Sequence, residues 1–284
     1  MKTGTKDLIK KYNIRLTKSL GQNFLNDDGI VARIADAAGI ISDDLVIEVG
    51  PGVGSMTREL ALKAGRVVAI EIDKHLIPAL EGSLEEFSNI EIINADIMEV
   101  NLAELISGKK DNPGGSVRVV ANLPYYITTP IIMKFLEENP GIETMVFMVQ
   151  KEVADRMVAK PGGKDYGALS VAVQFYSRAE KIFDVPPHCF IPQPEVDSTV
   201  IRLSVYKESP VKLLSREMFF KTVKASFGQR RKTLVNALFN SGYFKINKEE
   251  IKEILDNIGV EENQRGETLS ILQFAQLSNA FFTK

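Results

Sequence analysis

Five short runs rich in β-branched residues recur along the first half of the chain, separated by segments with helical spacing. The runs are LVIEVG (45–50), RVVAIEI (66–72), NIEIINA (89–95), VRVVAN (117–122) and TMVFMVQ (144–150). Each run is mostly apolar and lacks polar alternation, which is typical of parallel strands covered on both faces. The pattern therefore predicts an α/β protein with a doubly wound, mostly parallel sheet and right-handed crossovers.

Helical segments precede and follow these runs. Asp27 or Asp28 is placed to cap an entry helix, and strand-like runs stop beyond about residue 210. We therefore expect a Rossmann-like domain followed by a small all-helical domain. The expected parts are a basic N-terminal segment (1–26), the Rossmann-like domain (27–209) and the helical domain (210–284).

Composition narrows the class of protein. Of the 284 residues, 44% are hydrophobic and 25% are charged, as in ordinary globular proteins. Cys189 is the single cysteine, which excludes an intrachain disulfide and a multi-cysteine zinc site, so we expect no metal. The N-terminus lacks the apolar core of a signal peptide and no apolar run reaches 18 residues. We therefore expect a cytoplasmic protein that does not contact a membrane.

The charge is unevenly distributed. The net charge is −2 overall, but it is +5 over residues 1–18 and +6 over residues 207–232. Basic segments on an otherwise acidic chain are suited to attract phosphates. Two solvated charge runs would give the same pattern, so charge alone leaves both interpretations open.

The first strand leads into a glycine-rich loop, IEVGPGVGSMT, with Gly50, Gly52 and Gly54 ahead of a predicted helix. Glycines there let the backbone approach a nucleotide-like ligand without a Cβ clash. Ser55 stands where a dinucleotide fingerprint would have a third glycine or alanine. A plain structural turn is the alternative.

Two acids follow on the next strands. Glu71 ends the second run and is suited to accept hydrogen bonds from ribose hydroxyls. Asp96 follows the third run, where its carboxylate can accept a hydrogen bond from an adenine amino group. Because the carboxyl ends of parallel strands meet at one edge, the loop and both acids predict an adenosine-shaped site.

The fourth run ends abruptly at Asn122-Leu123-Pro124-Tyr125. This tetrapeptide resembles the (Asn/Asp)-Pro-Pro-(Tyr/Phe) motif of S-adenosylmethionine-dependent methyltransferases that modify exocyclic amines. An aromatic amine is a weak nucleophile because its lone pair is delocalised into the ring. The Asn122 side-chain oxygen and the Leu123 carbonyl can accept its N–H groups and direct the lone pair toward the methyl group. Pro124 stiffens the loop, and Tyr125 offers a flat face for an unstacked base.

Four motifs resemble the KsgA (RsmA) family of small-subunit ribosomal RNA adenine dimethyltransferases. They are LGQNFL (20–25), EVGPGVGSMT (48–57), NLPYYITTPI (122–131) and FIPQPEVDSTV (190–200). The resemblance implies the class I methyltransferase fold with a seven-stranded sheet. It also implies that Asn23 and Leu25 contact the cofactor, and that Phe190 offers a second aromatic surface to the target base. The other implied cofactor contacts are Gly50, Glu71, Asp96 and Asn122. From the residues alone, Phe190 between prolines is more typical of a core position.

The implied reaction is four methyl transfers from S-adenosylmethionine to two adjacent adenosines in the 3′-terminal hairpin loop of 16S rRNA, within small-subunit biogenesis. S-adenosylhomocysteine is the by-product, and the implied partner is 16S rRNA in an assembling small subunit. The basic residues expected to bind RNA phosphates are Lys224, Arg230, Arg231 and Lys232. A solvated helix face is the alternative for that cluster.

Three other functions fit parts of the sequence. An Erm-type methyltransferase of large-subunit rRNA would share the fold and cofactor site, and a ribosome-assembly factor on this fold could lack catalysis. A nicotinamide oxidoreductase is disfavoured by Ser55 and by the NLPY loop. Tyr126 departs from the NLPYN form of the motif, and we expect it to pack beneath the loop.

Overall fold

A computed structural model describes residues 4–14, 20–107 and 115–284. Within these ranges the strands are β1 (Phe24–Leu25), β2 (Leu45–Val49), β3 (Arg66–Glu71), β4 (Ile90–Asn94), β5 (Val117–Asn122), β6 (Ile142–Gln150), β7 (Ser177–Val185), β8 (Phe190–Ile191) and β9 (Ser198–Val205). The helices of the N-terminal part are α1 (Thr5–Lys11), α2 (Asp28–Ala37), α3 (Ser55–Ala61), α4 (Ile77–Leu84), α5 (Leu102–Ser107), α6 (Thr128–Glu138) and α7 (Lys151–Val158). The later helices are α8 (Ala168–Tyr176), α9 (Arg216–Gly228), α10 (Leu234–Asn240), α11 (Lys248–Asn257) and α12 (Ile271–Phe282).

The described residues form one seven-stranded sheet and one two-stranded sheet. The large sheet has the order β4-β3-β2-β5-β6-β9-β7, and β2 to β6 pair in parallel with their neighbours. β9 lies antiparallel to β6. The predicted α/β fold with a mostly parallel sheet is confirmed, and each of the five predicted runs is a strand of it.

The central strands are apolar because both of their faces are covered. All five residues of β2 are buried, and so are five of the six residues of β3. Val46, Val67, Val120 and Val146 pack in one cluster with Ile34 of α2. Burial on both faces explains why these strands show no polar alternation in the sequence.

The strand order reverses next to β2, which pairs with β3 on one side and with β5 on the other. The connection after β2 leads to β3 on one side of it. β5 lies on the other side of β2 and begins the second half of the sheet. In open α/β sheets, the crevice at the carboxyl ends of the strands near such a reversal is the usual ligand site. The topology therefore places the glycine loop after β2 and the NLPY loop after β5 at the same edge.

Side-chain caps begin α2, as the sequence predicts, and α11. The Asp27 side chain accepts a hydrogen bond of 3.0 Å from the backbone N–H of Ile30 and caps α2. Asn247 and Glu250 form a reciprocal capping box at the start of α11. These contacts satisfy backbone donors that the first turn of a helix leaves without partners.

The N-terminal segment is joined to the sheet domain by backbone and side-chain contacts. In the two-stranded sheet, Leu25 of β1 lies opposite Phe190 of β8. The Thr5 hydroxyl donates to the Leu25 carbonyl at 2.9 Å and lies 2.7 Å from the Ser55 hydroxyl at the start of α3. Residues 20–25 are thereby placed beside the glycine loop.

The chain divides into two compact units. The first comprises Met1–Ala154 and Arg178–Val205, and the second comprises Asp155–Ser177 and Tyr206–Lys284. The expected boundary near residue 210 differs from this division, because residues 155–177 group with the C-terminal helices. The reason is a shared core, in which Tyr166 and Phe175 pack in one cluster with Phe219, Phe274 and Phe281.

No helix among the described residues is both long enough and apolar enough to span a membrane.

One acid lies inside the core of the first unit. Glu48 in β2 is fully buried, and neither of its carboxyl oxygens has a hydrogen-bond partner among the described residues. The hydroxyl of Thr57 in α3 is also buried without a partner there. Burial raises the pKa of Glu48 to about 8. The Thr57 hydroxyl lies close enough to oppose this shift in part, and the negative charge of Glu71 adds to it. Glu48 is therefore protonated in the folded protein at neutral pH.

This protonation makes the stability of the fold depend on pH. The pKa of Glu48 rises from its ordinary value of 4.5 to about 8 on folding, so the folded state keeps a proton that the unfolded state has lost. We expect the free energy of unfolding to fall between about pH 5 and pH 8, by up to ~1.4 kcal/mol per pH unit from this group. Urea unfolding across that range should show the decline in the wild type and a smaller decline in Glu48→Gln. The exposed Glu137→Gln is the matched control, and equal pH dependence in all three proteins would contradict the assignment.

Candidate active site

A cleft lies at the carboxyl ends of β2, β3, β4 and β5 in the first unit. Its empty volume is about 870 Å³, including the part that is open to solvent. Residues 20–24 of the N-terminal segment form one of its walls. Gly50, Gly52, Glu71, Asp96 and Asn122 all line it. The cleft thus brings together predicted residues from four different strands.

The glycine loop has backbone angles that favour glycine at each of its three positions. Gly50, Gly52 and Gly54 have φ values of 68°, 62° and 88°. A Cβ on Gly52 would lie 2.7 Å from the Phe24 ring, whereas a Cβ on Gly50 would meet no protein atom within 4 Å. Gly52 therefore permits close packing of the N-terminal segment, and Gly50 leaves its side of the cleft open to a ligand.

Glu71 lies at the end of β3 with its carboxylate bonded to backbone donors. Its oxygens accept hydrogen bonds from the N–H of Gly52 at 3.1 Å and from the N–H of Asp73 at 2.9 Å. Burial raises the pKa of Glu71, while these two hydrogen bonds favour the charged form. The contacts fix the carboxylate at the wall of the cleft, where its remaining lone pairs can accept hydroxyl hydrogen bonds.

Asp96 follows β4 and is only partly buried. One of its oxygens accepts a hydrogen bond of 2.9 Å from the backbone N–H of Met98. Its neighbours Ala95 and Ile97 also line the cleft, as does Ile72 after β3. A carboxylate beside small and aliphatic side chains provides a flat apolar slot with a polar acceptor at its edge.

Asn122 ends β5, and its amide orientation follows from one hydrogen bond. Its Nδ2 donates to the backbone carbonyl of Asn23 at 2.9 Å. Because the amide nitrogen is bonded to that carbonyl, Oδ1 is the atom left to accept a hydrogen bond. None of the described residues donates to Oδ1. The N-terminal segment therefore orients the Asn122 amide in the cleft.

The rest of the NLPY loop is fixed by contacts on both sides. The N–H of Leu123 donates to the carbonyl of Met148 in β6 at 3.2 Å. The carbonyl of Pro124 accepts a hydrogen bond of 2.9 Å from the hydroxyl of Thr128 in the first turn of α6. The loop is thus tied to the neighbouring strand before the proline and to the following helix after it.

Tyr125 lines the cleft and is oriented through its hydroxyl. The phenol oxygen lies 2.7 Å from the hydroxyl of Ser198, a fully buried residue at the start of β9. Burial raises the pKa of Tyr125, so its phenol stays neutral at physiological pH. A hydrogen bond between two uncharged hydroxyl groups holds the ring at one end. Both faces of the ring therefore remain available for packing or stacking.

The expectation that Tyr126 packs beneath the loop is wrong. Its side chain is 59% exposed and lines the cleft next to Tyr125. It lies close to Gly21 of the N-terminal segment, where an added Cβ would come within 3.3 Å of the Tyr126 ring. The β5 strand ends at Asn122, so the loop after it turns this side chain outward.

Three predicted site residues do not line the cleft. Gly54 is packed toward α4, where an added Cβ would lie 2.7 Å from the Ser83 hydroxyl, so it serves helix packing. Leu25 and Phe190 belong to the hydrophobic core, and Phe190 is only 2% exposed. They are buried because they face each other across the β1–β8 pair. As placed, Phe190 cannot stack on a base without a movement of the surrounding chain.

Sequence reasoning missed other residues of the site. Gln22 lines the cleft and donates from Nε2 to Asp73 at 2.9 Å, which links the N-terminal segment to the loop after β3. Ser198 belongs to the FIPQPEVDSTV motif, but its contact with Tyr125 joins residues 73 positions apart. Burial along β9 gives no alternating signal for it, because residues 198–201 of this strand are all buried.

The predicted RNA-binding residues all lie in the second unit and are exposed. Arg230 donates to the Lys164 carbonyl at 2.8 Å and lies 3.3 Å from Glu267. Arg231 and Lys232 form no ion pair with the described residues. Within those residues, no group of three or more His, Cys, Asp or Glu side chains is arranged to hold a metal ion.

The chain matches known proteins over nearly its full length. The family model described as "Ribosomal RNA adenine dimethylase" matches residues 13–277. A protein of Clostridioides difficile named ribosomal RNA small subunit methyltransferase A is 55% identical over 280 residues, which cover 99% of this chain and 96% of that protein. A protein of the same name from Alkaliphilus metalliredigens is 52% identical, and the match covers 96% of this chain and 94% of that protein.

Two solved structures share the fold. A dimethyladenosine transferase from Plasmodium falciparum superposes with a TM-score of 0.75 at 27% identity, over 89% of this chain and 95% of that one. The 23S rRNA methyltransferase ErmE superposes with a TM-score of 0.68 at 29% identity, over 92% of this chain and all of that one. The resemblance inferred from the four motifs is confirmed. By this match and by the cleft that its motifs build, the chain belongs to the ribosomal RNA adenine dimethylase family.

Proposed function

We propose that this protein transfers methyl groups from S-adenosylmethionine to the N6 amines of two adjacent adenosines in the 3′-terminal hairpin loop of 16S rRNA. Four transfers, two to each adenosine, complete the modification of a small subunit during its assembly. The names of the relatives that are about half identical support the small subunit as the target. Because ribosomal subunits are assembled there, the proposed location is the cytoplasm.

The observation that carries this proposal is the orientation of Asn122. The hydrogen bond from Nδ2 to the Asn23 carbonyl leaves Oδ1 as the atom of the amide that can accept a hydrogen bond from an incoming amine. With the Leu123 carbonyl, Oδ1 can accept both N–H groups of an adenine amine and favour its pyramidal form. Neither acceptor needs to remove a proton before the methyl group is transferred, since the amine becomes acidic only as the new bond forms.

The cleft residues fit S-adenosylmethionine, whose sulfonium supplies an electrophilic methyl group when it is bound. Glu71 is proposed to accept hydrogen bonds from the ribose hydroxyls, and Asp96 to accept one from the adenine amino group. The open space at Gly50 supports this assignment, since any Cβ there would point into the ligand side of the cleft. Asn23 is proposed to contact the same ligand from the N-terminal wall.

Tyr125 is proposed to provide the flat surface for the target base. The hydrogen bond to Ser198 fixes the tilt of its ring, and a fixed ring loses little entropy when a base stacks on it. The target lies in a hairpin loop, the kind of RNA in which unpaired bases can be splayed out of the stack. In the second unit, Lys224, Arg230, Arg231 and Lys232 are proposed to contact backbone phosphates.

The assay that tests the function uses labelled S-adenosylmethionine and ribosomal subunits from cells that lack these modifications. We expect label in small subunits only, as dimethyladenine in the 3′-terminal hairpin. The fold alone does not separate this target from the large subunit, because ErmE also superposes on the chain. Label confined to large subunits would replace the proposal with an Erm-type activity. Cofactor binding without transfer to either subunit would favour a non-catalytic assembly factor.

Replacement of Asn122 tests the amine-positioning role. We expect Asn122→Ala to lower the methylation rate by roughly 100-fold or more, the usual effect of losing one positioned polar group in an active site. Binding of S-adenosylhomocysteine, measured by calorimetry, should remain within a few-fold of the wild type. The exposed Asn257→Ala, at the end of α11, is the matched control. A rate equal to that of the control would refute the role.

Replacement of Glu71 tests the ribose contact separately from catalysis. We expect Glu71→Gln to weaken S-adenosylhomocysteine binding by about tenfold to a hundredfold, since hydrogen bonds to a charged group contribute roughly 1.5–3 kcal/mol. Calorimetry on the purified variant measures the change, and thermal unfolding checks that the fold is retained. Glu81→Gln on the exposed face of α4 is the control. Unchanged affinity in Glu71→Gln would remove this residue from the cofactor site.

A further inference from the structure

Two lysine–aromatic pairs lie around the end of α10 in the second unit. Phe239 lies in the last turn of this helix and Tyr243 follows it by four residues, and each side chain is 43% exposed. The Lys224 ammonium lies 5.9 Å from the centre of the Tyr243 ring, and the Lys248 ammonium lies 5.2 Å from the centre of the Phe239 ring. We call these four residues the aromatic–lysine surface.

Hydrogen bonds fix this surface and join it to the basic turn before α10. Lys248 donates to Oδ1 of Asn236 at 2.8 Å. Asn240 lies between the two aromatic residues and donates to Oε1 of Gln229 at 3.3 Å. Gln229 directly precedes the basic triplet 230–232. The aromatic–lysine surface is therefore continuous with the residues proposed to bind phosphates.

The exposed rings are not needed by the core of the second unit. Phe244, the neighbour of Tyr243, is partly buried and packs against the core, with its ring stacked on Phe281 at 4.3 Å between ring centres. Tyr243 contacts Phe244 only edge-on, at 6.4 Å between ring centres. Phe244 is thus held by the core, whereas the Tyr243 ring stays 43% exposed and is free to contact a partner.

The charge near these rings favours one class of partner. Some exposed lysines of the second unit are paired with acids, as Lys221 is with Glu217 and Lys252 is with Glu262. Lys224, by contrast, forms no ion pair with the described residues. Flat aromatic faces beside unpaired cations match single-stranded RNA, in which bases stack on rings and phosphates bind lysine.

We propose that the aromatic–lysine surface binds unpaired nucleotides of the small-subunit rRNA by base stacking on Phe239 and Tyr243. This inference rests on the proposed function, since it adds a second contact with the same RNA outside the cleft. The stacked nucleotides need not be those that are methylated. The surface increases the residence time of the RNA, whereas the NLPY loop acts on the amine.

The test compares Phe239→Leu and Tyr243→Leu with the wild type. Leucine keeps apolar volume at these exposed positions and removes the flat ring, so the fold should be retained, which thermal unfolding verifies. Binding of protein-free 16S rRNA should weaken by about tenfold for each variant, as expected for the loss of one stacked base. In the methylation assay, the change should raise KM for the small subunit rather than lower kcat. Leu272→Ala, which removes a 59% exposed apolar side chain on α12, is the matched control.

Salt dependence distinguishes stacking from charge. Lys224→Gln should reduce the slope of log K against log salt concentration by about 1, the effect of one lost phosphate contact. Tyr243→Leu should leave this slope unchanged, because stacking releases no counterions. A slope that falls equally in both variants would overturn the stacking role.

Other outcomes are also decisive. If both leucine variants bind protein-free 16S rRNA as tightly as the wild type, the proposal is wrong. If the leucine variants bind protein-free rRNA normally but bind intact subunits weakly, the partner is a ribosomal protein and the proposal is wrong. Failure of the wild type to label small subunits would instead contradict the proposed function, and the binding measurements with 16S rRNA would still decide the role of the surface.

Discussion

The hydrogen bond from Asn122 to the Asn23 carbonyl is the contact on which the geometry of the cleft depends. It joins the N-terminal segment to the end of β5 and determines which end of the Asn122 amide is available to an incoming group. Gln22, one residue earlier, joins the same segment to Asp73 beside Glu71. The two contacts hold the Asn122 amide and the Glu71 carboxylate, which are proposed to position the amine and to bind the cofactor, in a common frame. The N-terminal segment forms one wall of the cleft, and it thereby positions the side chains at the ends of β3 and β5.

Buried carboxyl groups accompany this arrangement. Glu48 and Glu71 lie on adjacent strands, and burial raises the pKa of both. They differ in their hydrogen bonds, since Glu71 accepts from two backbone N–H groups and Glu48 has no partner among the described residues. Its two hydrogen bonds favour the charged form of Glu71, whereas Glu48 on the adjacent strand is neutral. Protonation of Glu48 avoids placing two negative charges together in a dry part of the sheet.

Both units use aromatic side chains in the same two ways. Tyr125 is fixed by Ser198 at the cleft, while Tyr126 beside it is exposed. In the helical unit, Phe244 packs against the core and Tyr243 next to it remains exposed. Each pair thus combines a ring that is held by the fold with a ring that is more exposed. If the cleft and the aromatic–lysine surface both contact RNA, the cleft selects the amine and the helical unit contributes affinity.

The sequence by itself determined the five central strands, their parallel pairing and the edge at which Gly50, Glu71, Asp96 and Asn122 meet. These features follow from local periodicity and from the rule that parallel strands end at the same side of a sheet. It also indicated the amine chemistry, because the NLPY loop is a contiguous motif. The tertiary structure alone decided which neighbours these residues contact. Phe190 is buried through pairing with β1, Tyr126 is turned outward, and residues 155–177 join the helical core. Each of these outcomes depends on contacts between residues far apart in the chain, and local sequence patterns contain no information about which distant surface will cover a side chain.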